Sequence, residues 1–325
     1  MTSKRPTSLA MRGATCQLPV FFPSISSVKT NLSPAEYLRV LLLAGYPTFL
    51  ISAYDVHHAS PGDRKVIEDG LNAAASANSI ILLDSGNYES YWLRDSNWTA
   101  EQFHAIARGT PAHAGFCYDN QFPPAKVADA IDDVERAVLR DQAAAPRASI
   151  IPIVHAPVEI LPAVASEVAR RLRPLMLAVP ERHLGEGVLM RATTVMAVRA
   201  ALRTLDYYCP LHLLGTGNPR SLLLYAWSGA DSFDGLEWCQ TAIDHATAMP
   251  VHFQQWDFYR QQTPLGDADD LPYAQRVLVH NLVFYQQWLG KMADAASADC
   301  LDELAWQSLP GDFLVRAEAA RKEKL

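Results

Sequence analysis

Three carboxylates in this chain stand directly after apolar runs of the kind that form buried strands. Asp84 ends the run SIILLD, Asp119 follows AHAGFCY, and Asp234 ends ADSFD. Because a carboxylate beside a buried strand is costly to desolvate, it must be paired or functional. Two carboxylates in one site of low dielectric push their pKa values apart, so that one stays ionised as a nucleophile while the other holds a proton. These residue types therefore indicate nucleophilic and acid–base chemistry.

The segment around Asp234 predicts the elements that position it. Residues 211–238, LHLLGTGNPRSLLLYAWSGADSFDGLEW, read as a strand, a glycine turn, a helix that begins at Pro219, and a second strand. Asp231 and Asp234 both lie near the end of that second strand. Since strand side chains alternate between faces, Asp234 shares its face with Ser232 and Asp231 points to the other face. We therefore expect Asp231 to cap or pair structurally.

Strand-like runs alternate with stretches of helical spacing along most of the chain. Eight runs, roughly 20 to 40 residues apart, predict a (β/α)8 TIM barrel, an α/β fold whose strand ends converge on one mouth. A doubly wound open sheet is the alternative. The predicted strands are TFLISAY (48–54), SIILLDSG (79–86), AHAGFCYD (112–119), SIIPIVHA (149–156), PLMLAVPE (174–181), LHLLGTG (211–217), ADSFDGLEW (230–238) and VHFQQWDF (251–258).

The two ends of the chain depart from this alternation. Residues 1–15 are polar and expected to be loose, and residues 16–24 predict a short N-terminal strand entry to the larger fold. The tail VRAEAARKEKL has the composition of a basic, frayed, solvent-exposed helix, so a C-terminal helical extension is expected. No linker rich in Gly, Ser or Pro marks a boundary. Residues 16–325 are therefore assigned to one catalytic domain with C-terminal helices.

Composition limits the class of protein. The 325 residues are 49% apolar and 19% charged, enough for a large core. The apolar stretches are too short or interrupted for a bilayer span, and no signal-peptide core follows the N-terminus, so a cytoplasmic enzyme without membrane contact is expected. Five scattered cysteines without a CxxC pair indicate neither disulfides nor a cysteine zinc knuckle. At a net charge of −7, a nucleic-acid partner would need a local basic face.

Several motifs, in order, resemble those of one enzyme family. LLDSGNYES is similar to the DSGGFQ-type motif of the tRNA-guanine transglycosylases (queuine tRNA-ribosyltransferases), which exchange guanine for a 7-deazaguanine base. Residues 211–238 resemble the family's H-x-L-G-x-G-x-P…G-x-D-x-F-D segment, and VLVHNLVFYQQWL resembles its LHNL-x-FY helix. Weaker agreement links PVFFPSISSVKTNLSP, FCYD, IIPIVHAP and LMLAVPE to four further family segments. The ordered matches cover about residues 18–290.

The resemblance implies a pentosyltransferase with two catalytic carboxylates. Asp234 falls on the nucleophile, which attacks C1′ of the target nucleoside, expels guanine and forms a covalent glycosyl-enzyme. Asp84 falls on the general acid/base that handles the purine proton. Such roles suit carboxylates, because breaking an N-glycosidic bond builds positive charge at C1′ while the leaving base needs a proton.

The same resemblance implies a set of substrate-binding residues. Tyr88 matches an aromatic that stacks on the base, and Asp119 matches the carboxylate that reads the N–H edge of the purine. His155 replaces a base-contacting glutamine. A backbone-reading pair and a glycine turn that approaches ribose and phosphate complete the site. The full set is Ser85, Tyr88, Asp119, His155, Leu177, Ala178, Gly215, Thr216 and Gly217.

The chain also departs from the family pattern. The family's C-x-C-x-x-C zinc ligands are missing from RQQTPLGDADDLPYAQRVLVHN, so we expect no metal and no cofactor, with His280 in helix packing or hydrogen bonding. The basic P-T-R segment is replaced by residues 236–240, where Glu237 has the wrong sign for a phosphate contact. DSGG becomes DSGN, and the glutamine of that motif becomes Glu89. These changes affect polymer binding more than chemistry.

Three functions remain open. The first is replacement of guanine in a nucleic acid by a 7-deazaguanine, with DNA ahead of tRNA because DNA-modifying paralogues diverge from the tRNA enzymes outside the barrel; a protein partner or a homodimer is possible within this hypothesis. The second is the same chemistry on a free nucleoside or nucleotide. The third is a non-catalytic subunit that binds nucleic acid on a barrel scaffold. Aromatics near the mouth that are candidates for stacking on an extruded base are Tyr88, Tyr91, Trp92 and Trp238, with ordinary packing at the barrel rim as the favoured alternative for each. Cations available for phosphate contact are Arg94, Arg182, Arg220, Arg260, Arg321, Lys322 and Lys324.

Overall fold

The chain forms a barrel of parallel strands enclosed by helices. A computed structural model describes residues 5–122, 124–264 and 270–324. Within these ranges the strands are β1 (Ser8–Met11), β2 (Ala14–Gln17), β3 (Val20–Ile25), β4 (Thr48–Ser52), β5 (Ile80–Asp84), β6 (Ala114–Phe116), β7 (Ser149–Ile151), β8 (Leu177–Pro180), β9 (Leu211–Leu214), β10 (Ser232–Gly235), β11 (Thr241–Asp244) and β12 (Met249–His252).

Eight of these described strands lie side by side in the order β7-β6-β5-β4-β3-β10-β9-β8, and each adjacent pair is parallel. The two outer strands meet through a parallel bridge between Ile153 and Ala178. The Val154 N–H donates to the Ala178 carbonyl at 2.8 Å, and the Ala178 N–H donates to the Pro152 carbonyl at 2.9 Å. These bonds bring the sheet round into a nearly closed (β/α)8 barrel, and the predicted fold class is confirmed.

One predicted barrel strand is wrong. Residues 251–258 were expected to be the eighth strand, but β12 ends at His252, pairs antiparallel with β11, and is followed by a 3₁₀ helix over Phe253–Phe258. The eighth strand position of the barrel is taken by β3, which we expected to be only a short entry strand before the barrel. A parallel barrel strand is buried on both faces. The run VFFPSI of β3 is buried throughout, whereas VHFQQWDF alternates apolar and polar residues and β12 is partly exposed.

The N-terminal region is more ordered than expected. Residues 1–4 lie outside the described part of the chain, but β1 and β2 form an antiparallel hairpin where residues up to 15 were predicted to be loose. Its turn is Arg12–Gly13, and both residues have positive φ angles of 41° and 89°, as a tight two-residue hairpin requires. Leu9 and Met11 are buried against the barrel, which explains why the hairpin is ordered.

The helices cover the outside of the barrel and form an extension after it. They are α1 (Pro34–Leu43), α2 (Ala53–His58), α3 (Pro61–Ser76), α4 (Asn87–Leu93), α5 (Ala100–Gly109), α6 (Val127–Ala144), α7 (Leu161–Leu172), α8 (Gly187–Leu202), α9 (Pro219–Ser228), α10 (Glu237–Gln240), α11 (Tyr273–Ser297), α12 (Leu301–Ser308) and α13 (Gly311–Lys324). Two further 3₁₀ turns cover Glu181–His183 and Arg260–Gln262. None of the helices in the described ranges combines the length and apolar character that a membrane span needs.

The predicted strand–turn–helix–strand unit that ends in Asp234 is confirmed as β9, α9 and β10. Helix α9 begins at Pro219, and the Asn218 side chain accepts hydrogen bonds from the first free N–H groups of the helix. Gly229, with a φ angle of 115°, ends it. Helices α11 to α13 form the expected C-terminal extension. The last helix is less exposed than its composition indicated, because Leu314 and Ala317 are fully buried.

Candidate active site

A cavity of about 430 Å³ opens at the carboxyl ends of the barrel strands. Its walls come from β3, β5, β10 and the segments that follow β6, β7, β8 and β9. Parallel α/β folds build sites at this end because the polar segments after buried strands converge there. The predicted site residues that line the cavity are Asp84, Ser85, Tyr88, Asp119, His155, Gly215 and Asp234.

Asp234 ends β10 and is held by donors from three other elements. The Ser24 hydroxyl donates to Oδ2 at 2.7 Å, and the Gly215 N–H donates to Oδ1 at 3.1 Å. His212 Nε2 lies 3.1 Å from the same Oδ1, while its Nδ1 lies 2.7 Å from the Ser232 hydroxyl. Three donors stabilise the negative charge of the carboxylate and fix its orientation. The side chain is 7% exposed and faces the cavity.

Asp231, three residues before Asp234, has a structural role, as the alternation of strand side chains predicted. Its carboxylate pairs with Arg199 Nη2 at 2.6 Å and with Arg5 Nε at 2.8 Å, and it accepts from the Tyr208 hydroxyl at 2.7 Å and the Leu211 N–H at 2.9 Å. The side chain is fully buried on the opposite face from Asp234. This carboxylate therefore ties β10 to β9 and α8 and does not reach the cavity.

The glycine turn after β9 makes hydrogen bonds within the protein in place of the substrate contacts that we expected. It was expected to meet ribose and phosphate, but the Thr216 N–H donates to the Asp234 carbonyl at 2.6 Å and the Gly217 carbonyl accepts from the Tyr285 hydroxyl at 2.6 Å. Only Gly215 among the three lines the cavity, and its N–H is already bonded to Asp234. The turn therefore positions the carboxylate of Asp234 and its strand.

Asp84 ends β5, three strands round the barrel from β10, and lines the same cavity. The Gly86 N–H donates to its Oδ2 at 2.9 Å. Burial, together with the neighbouring charges of Asp119 and Asp234, raises the pKa of Asp84 to about 7 against the opposing effect of the Gly86 N–H bond. A carboxyl group with this pKa exists in both protonation states near neutral pH, which is what an acid that later acts as a base requires.

Two more acids lie beside Asp84, and the sequence motifs did not indicate their role. Glu89 on α4 is 2% exposed and accepts hydrogen bonds from the Ser26 hydroxyl at 2.5 Å and the Ser52 hydroxyl at 2.7 Å. Burial raises the pKa of Glu89 to about 8, and the charges of Asp55 and Asp84 add to the shift. Burial likewise raises the pKa of Asp55 to about 6, although the Ser27 N–H bond opposes it. These groups favour a protonated cluster behind Asp84.

Asp119 and His155 form a buried pair after β6 and β7, next to Asp84 and on the wall opposite β10. His155 Nε2 bonds Asp119 Oδ2, Asn87 Nδ2 donates to Oδ1 at 2.8 Å, and Gln121 Nε2 donates to Oδ2 at 2.7 Å. Burial by itself would raise the pKa of Asp119, but the His155 and Asn87 bonds outweigh it and the pKa is lowered. The carboxylate is therefore an ionised acceptor. His155 Nδ1 is buried and has no hydrogen-bond partner among the described residues.

Two predicted binding residues do not reach the cavity. Leu177 and Ala178 lie within β8, fully buried, and the wall at that strand begins at Pro180. Both backbone polar groups of Ala178 are used in closing the barrel, and the Leu177 N–H donates to the Pro210 carbonyl at 2.9 Å. The structure therefore gives no support to the expectation that these three backbone groups of Leu177 and Ala178 contact the base. Glu181 and Arg182, which follow the strand, line the cavity instead.

Trp238 has the packing role that was favoured over stacking on a base. Its side chain is fully buried and its indole N–H donates to the Ser24 carbonyl at 2.9 Å. Its ring lies edge-on to Tyr37, with centroids 5.5 Å apart. Trp238 therefore supports the strand end that carries Ser24. Of the other three aromatics, Tyr88 lines the cavity, and Tyr91 and Trp92 lie on the same helix with exposed side chains.

Glu237 sits at the mouth of the cavity beside the glycine turn. A Cβ atom at Gly217 or Gly235 would collide with its carboxylate, so both glycines are needed for this close approach. Burial raises the pKa of Glu237 to about 7, opposed by its own N–H and by that of Gly217. The Gly215 and Thr216 N–H groups are bonded to Asp234, and the carboxylate of Glu237 lies against Gly217, so an acid covers this turn.

Sequence reasoning missed several residues of this cavity. Ser24 and His212 contact Asp234, and Lys29 and Arg191 bring positive charge to the walls. Ser24 could have been found if residues 20–25 had been assigned to the barrel, because it lies at a strand end. Of the cations named as available for phosphate contact, Arg182 lines the cavity, whereas Arg220 donates to the Thr247 carbonyl at 3.0 Å and does not line it.

The region of the missing cysteines is held by hydrogen bonds. His280 Nε2 lies 2.8 Å from the Ile243 carbonyl, and its Nδ1 lies 3.3 Å from the Thr263 hydroxyl. Asn281 donates to the carbonyls of Trp238 and Thr241 at 2.8 and 2.7 Å. His280 thus has the packing and hydrogen-bonding role that we expected. Across the described ranges, no group of three or more His, Cys, Asp or Glu side chains could hold a metal ion.

Comparison with known proteins agrees with the motif order. No protein-family model matches the chain. The chain is 25% identical over 249 residues to a tRNA-guanine(15) transglycosylase of Haloferax volcanii, covering 73% of the chain and 46% of that protein. It is 22% identical over 236 residues to a tRNA-guanine(15) transglycosylase of Methanopyrus kandleri, covering 70% of the chain and 50% of that protein. This weak homology supports a relationship to the tRNA-guanine transglycosylase superfamily. The chain spans about half the length of these curated relatives.

Proposed function

We propose that this protein is a guanine-exchange transglycosylase in which Asp234 is the nucleophile and Asp84 the acid and base. The observation that carries the proposal is the carboxylate of Asp234, held by Ser24, His212 and Gly215 at the wall of a cavity that Asp84 also lines. Two carboxylates with different environments at one cavity suit double displacement at a glycosidic carbon.

In the first step an Asp234 oxygen forms a bond to C1′ of the target nucleoside while the bond from C1′ to guanine N9 breaks. The bonding electrons leave with the base, and the protonated carboxyl group of Asp84 transfers its proton to that base. Since the pKa of Asp84 is about 7, the transfer does not need acidic solution. The product is a covalent glycosyl-enzyme with the base still in the cavity.

In the second step the incoming base loses its N–H proton to the Asp84 carboxylate and its nitrogen attacks C1′. The ester oxygen of Asp234 leaves with its electron pair, so both carboxyl groups return to their starting protonation states. Two inversions at C1′ restore the original configuration. The three donors around Asp234 stabilise the carboxylate that is released.

The base is recognised by the pair on the opposite wall. The ionised carboxylate of Asp119 is an acceptor for the two N–H groups on the amide edge of guanine, and a 7-deazaguanine presents the same edge. Tyr88 supplies an aromatic face at the cavity wall. We propose nucleic acid as the substrate and a 7-deazaguanine as the incoming base. DNA is favoured over tRNA because the family's basic segment and zinc cysteines are replaced in this sequence.

A free nucleoside is the second candidate substrate, and Glu237 favours it. Its carboxylate covers the glycine turn next to Asp234 and disfavours a phosphate there. Exchange of labelled guanine into mononucleosides, without exchange into single-stranded DNA or tRNA, would select this candidate.

Trapping the glycosyl-enzyme tests the proposal. The protein is incubated separately with guanine-containing single-stranded DNA, tRNA and guanosine, and adducts are detected on denaturing gels or by intact mass. We expect an adduct with the wild type that Asp234→Ala abolishes, while Asp206→Ala, an exposed aspartate far from the cavity, retains it. If folded wild type forms no adduct and exchanges no labelled base with any of the three substrates, the proposal is wrong.

A further inference from the structure

Helix α4 carries an exposed apolar surface outward from the cavity. It begins three residues after Asp84 and presents Tyr88 to the cavity. Tyr91, Trp92 and Leu93 are 51%, 46% and 52% exposed, and we call these three side chains the aromatic ledge. Residues three and four apart share a helix face, so Tyr88 continues directly into Tyr91 and Trp92. The ring centroids of Tyr88 and Trp92 are 6.3 Å apart, and those of Tyr91 and Trp92 are 5.6 Å apart.

A cation is fixed against this ledge. Lys29 Nζ lies 3.4 Å from the centroid of the Trp92 ring, and Lys29 also lines the cavity. Its backbone has a φ angle of 58°, a conformation that a lysine adopts only when its surroundings impose it. Gln240, another cavity residue, donates to the Lys29 carbonyl at 3.1 Å and helps to impose it. The cation–π pair is therefore a fixed feature of the cavity rim. It places a positive charge there although the chain has a net charge of −7.

We propose that Tyr91, Trp92 and Lys29 bind unpaired nucleotides next to the target in a single-stranded nucleic acid. This inference rests on the proposed function, because a polymer whose target base occupies the cavity must leave it across the rim. Aromatic faces stack on bases of any sequence, and an ammonium group beside them contacts the phosphate that joins those bases. The ledge and Lys29 supply both groups next to the cavity, which Tyr88 and Lys29 line.

Charge and exposure favour this partner over an apolar protein surface. The amine on one side of Trp92 is an obstacle to a dry apolar interface, because it would have to be desolvated. A phosphodiester chain neutralises the same amine. Arg94, the exposed residue that ends α4, adds a second cation at the outer edge of the ledge. Since a base in a duplex has both faces stacked, the ledge should bind single strands in preference to duplexes.

The test uses a probe that cannot react. A labelled oligo(dT) of about 15 nucleotides contains no guanine, so its binding, measured by fluorescence anisotropy, is independent of exchange chemistry. Oligo(U) and duplex DNA of the same length distinguish DNA from RNA and single strands from duplexes. We expect the wild type to bind the single strands more tightly than the duplex, and Tyr91→Ala/Trp92→Ala to weaken this binding by about tenfold or more. Lys29→Met should lower the slope of log affinity against log salt by about one.

Trp306→Ala is the matched control, because Trp306 is 43% exposed on α12 and does not line the cavity. Equal binding by the wild type and the Tyr91→Ala/Trp92→Ala variant, both with unchanged thermal unfolding, would overturn the inference. So would a change in oligomeric state with no change in oligonucleotide binding, since the ledge would then be a contact between copies. A third outcome separates the two proposals. If the Tyr91→Ala/Trp92→Ala variant loses oligo(dT) binding while the wild type exchanges base with no guanine substrate, the proposed function is wrong and the inference about the aromatic ledge is supported.

Discussion

The hydroxyl of Ser24 donates a 2.7 Å hydrogen bond to the carboxylate of Asp234, across 210 positions of the chain. The bond joins the first barrel strand to the last one, because β3 and β10 are parallel neighbours in which Asp234 stands opposite Phe22. Strand β3 is therefore part of the wall that carries Asp234. An isolated motif around Asp234 would not show this dependence.

Replacing Ser24 by alanine should slow the reaction without removing the nucleophile. One hydrogen bond to a charged group contributes about 1.5 to 3 kcal/mol, so we expect kcat of base exchange to fall by roughly 10- to 150-fold. Affinity for the free base should change little, because Ser24 contacts the carboxylate that attacks the sugar. Ser166→Ala, at a partly exposed serine of α7 that does not line the cavity, is the control. An unchanged kcat in Ser24→Ala would show that this hydroxyl does not support Asp234.

Glu89 should make the protein less stable as the pH rises. Its pKa is about 8 in the folded chain against 4.5 ordinarily, so between these values the folded state binds more protons than the unfolded state. The free energy of unfolding therefore falls across that window. Asp55 and Asp84, with pKa values raised to about 6 and about 7, act in the same direction.

Glu89→Gln should remove part of this dependence. Relative to wild type, the variant should gain about 1 to 3 kcal/mol in free energy of unfolding between about pH 5 and about pH 8. Urea unfolding at the two pH values measures the gain. Glu303→Gln, at an exposed glutamate of α12, should behave as wild type. A parallel pH dependence in Glu89→Gln and wild type would mean that Glu89 is ionised in the folded protein.

Asp119 should decide which base is bound. The ionised carboxylate accepts N–H groups, so Asp119→Asn should weaken guanine binding by about 10- to 100-fold. Hypoxanthine lacks the amino group of guanine, and its affinity should fall less, so the variant should discriminate poorly between the two bases. Isothermal titration calorimetry measures both affinities. His183→Gln is a control, since its ring stands beside His155 without bonding Asp119. Retained discrimination in Asp119→Asn would place base recognition elsewhere.

Removing the charge of Glu237 should favour phosphorylated substrates. Glu237→Gln keeps the shape of the side chain over the glycine turn and deletes its negative charge. We expect kcat/KM for a 5′-phosphorylated substrate to rise about 3- to 10-fold relative to the unphosphorylated nucleoside. Glu186→Gln, at an exposed site outside the cavity, controls for net charge. An unchanged ratio of the two kcat/KM values would rule out this discriminating role.

We propose that no structural zinc supports the region around His280. Chelation should therefore leave the thermal midpoint unchanged, whereas His280→Ala should lower the free energy of unfolding by about 1 to 3 kcal/mol, because the Ile243 carbonyl loses its buried partner. Calorimetry with and without a chelator makes both measurements. A fall of the midpoint on chelation, reversed by added zinc, would contradict the proposal.

Local pattern was sufficient to predict most of the architecture and the two central carboxylates. Continuous apolar runs such as TFLIS and IILLD can be satisfied only as buried parallel strands, and the polar residues that end them must then meet at one mouth. Strand alternation also separated Asp234 from Asp231 correctly. The run at 251–258 was misleading, because it alternates like a strand although its first two residues end β12 and Phe253–Phe258 form a 3₁₀ helix.

The sequence by itself determined that carboxylates ending successive strands face one cavity, since this depends only on the order and type of neighbouring residues. Tertiary structure alone decided what each polar group contacts. Ser24 reaches Asp234, Glu89 bonds the serines that follow β3 and end β4, and the glycine turn bonds Asp234 where we expected substrate contacts. These contacts join residues far apart in the chain, and their distances are set by how the strands close into a barrel.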